Sequence, residues 1–136
     1  MKKHILLANE KKKNSLPISL MLESYNFQVS ILNEWKGLSK KIKDFRSKKN
    51  PIDLIILGTK FSDSQLNEFF ESIDISNKDL PFILISDTKK LSLMNHILDL
   101  GFYGYFVSSS DPVVLIEQVN TIFFNIGKYK ENEKQL

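Results

Sequence analysis

Pro51-Ile52-Asp53-Leu54-Ile55-Ile56-Leu57-Gly58 is the stretch on which the reading of this chain turns. Four apolar residues follow Asp53 without polar alternation, and turn signals bound the run on both sides. It is too short for a free-standing helix and reads as a strand buried on both faces, the kind found in the middle of a parallel sheet. Ile55 and Ile56 are then expected to face opposite helical layers. In open α/β sheets, sites lie at the carboxyl ends of such strands. At this one stands Gly58, which has no side chain and offers no nucleophile, ligand or base.

Outward from that strand, the rest of the chain alternates between short apolar runs and helical stripes. Ile5-Leu6-Leu7-Ala8 is a second interior strand, β1 (5–8), ending at Asn9-Glu10. After Lys11 to Asn14, Ser15 is a plausible N-cap for α1 (15–25). Its stripe is Ile18, Met21, Leu22 and Tyr25, at i, i+3, i+4 and i+7. Pro17 fits a helix that begins near Ser15, because proline is tolerated in the first turn; in a helix that begins earlier it should produce a kink. Asn26 suits a left-handed cap at the end of that helix. Phe27, Val29 and Ile31 alternate with Gln28 and Ser30, which suggests a less buried edge strand, β2 (27–31).

Leu38, Ile42 and Phe45 form the narrow stripe of α2 (38–45), among many lysines. The opening stretch is β3 (54–57). Ser62, Asp63 and Ser64 offer caps for α3 (64–73), with Leu66, Phe69, Phe70 and Ile73 inward. Pro81 to Ser86 is β4 (81–86), with proline at its first position as a sheet allows. Leu91, Met94, Ile97 and Leu98 give α4 (91–98), closed by Gly101. Gly104 to Val107 is β5 (104–107). Asp111-Pro112 pairs an N-cap with proline at N1 for α5 (112–126). Its core face is Val119, Ile122, Phe123 and Ile126. The polar tail 128–136 is expected to fray, leaving residues 1–127 as one domain.

Five strands alternating with five helices imply a doubly wound parallel sheet covered on both faces, with right-handed crossovers. The size suits an α/β, flavodoxin-like (βα)5 fold with strand order 2-1-3-4-5. With 136 residues, 42% hydrophobic and 26% charged, the chain can build one packed core. It has no cysteine. Disulfides, thiolate metal sites and cysteine nucleophiles are excluded, and a cytoplasmic location is the natural expectation. No apolar run has the length of a membrane helix or of a signal peptide.

In this order and spacing the chain, from roughly Lys3 to Gly127, resembles the receiver domain of bacterial two-component response regulators. Three stretches carry the resemblance. One is Ile5-Leu6-Leu7-Ala8-Asn9-Glu10, with Asn26-Phe27 where the family usually has Gly-Tyr or Gly-Phe. Another is Pro51 to Leu57, which looks like the family's P-D-L-I-I-L-D strand. The third is Leu80 to Ser86, followed by Leu98-Asp99-Leu100-Gly101, Tyr105-Phe106-Val107 and Asp111-Pro112.

The resemblance implies a pocket in which an acidic pair after β1 and an aspartate after β3 bind Mg²⁺, and that aspartate accepts a phosphoryl group. A hydroxyl after β4 and a lysine after β5 read the phosphorylated state. Mg²⁺ needs several oxygen ligands in near-octahedral geometry, and the acceptor must be a nucleophile. Here the positions hold Asn9, Glu10, Gly58, Ser86 and Ser108. Glu10 keeps only a charge and Ser86 keeps the hydroxyl. The lysine is lost with the acceptor, as expected where no acyl-phosphate could compensate a buried ammonium. The resemblance therefore implies a vestigial pocket, no Mg²⁺ or other cofactor, and no catalytic residue.

What remains is protein binding, by a partner or by a second copy, through the α4-β5-α5 face that the family uses for dimers and outputs. Phe102, Tyr103 and Tyr105 are the candidate contacts, with Tyr105 at the place of the family's switch aromatic. Two alternatives differ in class. One is phosphorylation or ligand control at a non-standard residue such as Ser86, Thr59 or Asp63, where no histidine stands near as a base. The other is polyanion binding by the lysine-rich α2, from Lys36 to Lys49, against which stand the lack of interleaved aromatics and a net charge of only +3. Asp63 and Asp87 read as helix caps rather than a rebuilt metal site with Glu10. The Ser108-Ser109-Ser110 run reads as a loop into α5. His4 and His96 are expected at surface or boundary positions.

Overall fold

The computed structural model describes residues 2–8, 12–32, 40, 51–58, 62–72, 80–85, 95–96, 99, 104–107 and 111–135. They form β1 (His4–Ala8), α1 (Lys12–Ser24), β2 (Gln28–Leu32), β3 (Leu54–Leu57), α3 (Asp63–Ser72), β4 (Phe82–Ile85), β5 (Gly104–Val107) and α5 (Pro112–Gln135). The five strands make one parallel sheet in the order β2-β1-β3-β4-β5. This is the doubly wound α/β arrangement expected from the strand–helix alternation. Most of α2 and α4 lies outside the described residues; Lys40, Asn95, His96 and Asp99, which fall in or beside those segments, are helical.

The central strands are buried at every residue because helices cover both faces of the sheet. Period-two alternation then sorts their side chains into two cores. Leu6, Ala8, Ile55, Leu57, Phe82 and Leu84 pack with Leu66, Phe69 and Phe70 of α3. Ile5, Leu7, Leu54, Ile56, Ile83 and Ile85 pack with Ile18 and Leu22 of α1 and Leu115, Ile116, Val119 and Ile122 of α5. Ile55 and Ile56 thus face opposite layers, as the uninterrupted apolar run predicts. Burying each such side chain stabilises the fold by about 1.5–3 kcal/mol. Edge strand β2 is half-buried throughout.

Three expectations about α1 and α5 are corrected. α1 begins at Lys12, before Ser15, so Pro17 lies inside the helix. Past the first turn, a proline there forgoes the bond its N–H would make to the Lys13 carbonyl. Tyr25 is exposed rather than on the core face, because the helix ends at Ser24 and the chain turns away. Asn26 has φ 70°. Its N–H donates to Glu23 O at 3.0 Å and Phe27 N–H donates to Leu22 O at 3.2 Å. This is a Schellman closure with asparagine in the left-handed position. Finally, α5 continues through Gln135 rather than ending before the polar tail.

Candidate functional site

The register of the sheet lines up the carboxyl ends of the strands. Ala8 is paired with Leu57, Leu57 with Leu84, and Ile85 with Val107. These strand ends share one edge of the sheet, where an α/β site is expected. Gly58 is at its centre. It is buried, and its N–H donates to the Ala8 carbonyl at 2.8 Å. The position therefore has no side chain, and its backbone donor is engaged within the sheet. Asn9, Glu10, Ser86 and Ser108, the other members of the vestigial pocket, lie outside the described residues, as do Thr59, Asp87 and the run 108–110.

The neighbouring helix starts are built from the residue types the sequence suggested. Ser62 is the cap of α3. Its Oγ accepts from Gln65 N–H at 3.2 Å, and Ser62 N–H donates to Gln65 Oε1 at 2.9 Å, a reciprocal capping box. Asp63 is then the first residue of the helix. Asp111 caps α5 by accepting from Val113 N–H at 3.0 Å. Of the candidate contacts on the α4-β5-α5 face, Phe102 and Tyr103 lie outside the described residues. Tyr105 is in β5, its backbone paired with Ile83 at the sheet edge.

The opposite end of the sheet holds a cluster that sequence reasoning placed wrongly. His4 is fully buried, not at the surface. It is the first residue of β1, facing the same layer as Leu6 and Ala8. Its Nε2 stands 2.7 Å from Ser30 Oγ. Its N–H donates to Asp53 Oδ2 at 2.8 Å, while Asp53 N–H donates to the His4 carbonyl at 2.7 Å. Asp53 thus ties the entry of β3 to that of β1, and Ser30 gives the buried ring a polar contact. The sequence signal was the register: His4 continues the alternation of Leu6 and Ala8. His96 does stand at a boundary, half-exposed, with Nε2 3.2 Å from Glu71 Oε1.

Also unforeseen are Leu20, Val113 and Phe124, exposed apolar residues of α1 and α5. Their signal was that each falls off the core-facing stripe of its helix. Among the described residues, no helix is long and apolar enough to cross a membrane.

Neither a family model nor a curated protein matches the sequence. Solved structures do match in shape. Chemotaxis protein CheY4 of Vibrio cholerae superposes with a TM-score of 0.72 at 14% identity, over 89% of this chain and 98% of that one. A CheY-like response regulator receiver domain protein of Methanospirillum hungatei gives 0.71 at 16% identity, over 95% and 99%. The phosphorylated cyanobacterial phytochrome response regulator RcpA gives 0.66 at 20% identity, over 90% and 91%. Likeness at such identities is a likeness of fold: this chain has the same fold as CheY-like receiver domains, with a glycine at the buried end of its central strand.

Proposed function

We propose that this chain is a receiver-fold signalling module that accepts no phosphoryl group and acts by binding protein through the α4-β5-α5 face. The observation that carries the reading is Gly58. It closes the central strand with no side chain, and its N–H is engaged by Ala8. The fold hosts phosphorylated regulators, as the cyanobacterial relative in shape illustrates. In this chain Asn9 and Ser108 match the loss at Gly58, since a lone Glu10 is a poor Mg²⁺ ligand set. With nothing to drive a switch, Tyr105 is expected to hold one rotamer and to form, with Phe102 and Tyr103, a constitutive contact patch.

The test is incubation with acetyl phosphate and Mg²⁺ followed by intact mass measurement. The mass is expected to stay unchanged; an adduct of about 80 Da, one phosphoryl group, overturns the reading. In a second arm, Tyr103→Ala/Tyr105→Ala is expected to lose partner recovery or self-association while keeping its circular dichroism. Undiminished binding by that folded variant would move the functional surface elsewhere.

A further inference from the structure

We draw no further inference here: the strongest candidate, the exposed apolar residues Leu20 of α1 and Val113 and Phe124 of α5 in the helical layer on one side of the sheet, carries nothing because nothing in the structure shows what covers them.

Discussion

Asn26 shows how much one residue fixes. Its φ of 70° lets the last turn of α1 close on itself and send Phe27 back toward the sheet. There Phe27 packs against Phe123, ring centroids 5.7 Å apart. An L-residue with a Cβ resists that conformation by about 1–2 kcal/mol, a penalty asparagine partly escapes and glycine avoids. Asn26→Ala should therefore destabilise the fold by about 1 kcal/mol, while Asn26→Gly should be neutral or stabilising. Urea unfolding of the three proteins checks the order. This residue was legible from sequence because its chemistry is local. His4 was misplaced although it continues the alternation of Leu6 and Ala8, because the groups that give it polar contacts, Ser30 and Asp53, are distant in sequence. Gly58 was legible in what it lacks; only the register revealed that its N–H is also engaged.

At the scale of elements, the start of α3 rests on the reciprocal bonds of Ser62 and Gln65. Ser62→Ala removes one of them and should cost about 1 kcal/mol, read as a lowered thermal midpoint at unchanged cooperativity. A drop much larger than this would mean that the serine supports more than the helix end. The helix stripes of α1, α3 and α5 were legible because period 3.6 marks the buried side of a helix. Helix ends were less so. α1 starts at Lys12 because nothing in Lys12 to Asn14 breaks a helix, although Pro17 then costs it one bond. α5 reaches Gln135 because its polar residues beyond Gly127 include many good helix formers, which read as a tail when only the apolar stripe is followed.

Across the whole molecule, strand order and the burial of β3 followed from composition and alternation, since only a sheet covered on both faces explains four unbroken apolar residues. Of the candidate site only Gly58 lies among the described residues; the sequence shows there a position without a side chain, and the segments that would complete the site carry no periodic signal from which to read their shape. The same strand order constrains how the molecule forms. β1 sits between β2 and β3, so Leu7 pairs both with Ile31 and with the much later Ile56. During synthesis one side of β1 stays open until the chain has passed residue 57. That edge is then closed at the entropic cost of a long loop, before most of the buried area is gained. Pairing of β3 onto β1 is thus the expected rate-limiting event. Ile56→Val should lower the refolding limb of the chevron and barely move the unfolding limb, whereas Ile122→Val in α5 should mainly speed unfolding. Docking of the buried strand that leads into Gly58 is, on this account, the step on which the speed of folding depends.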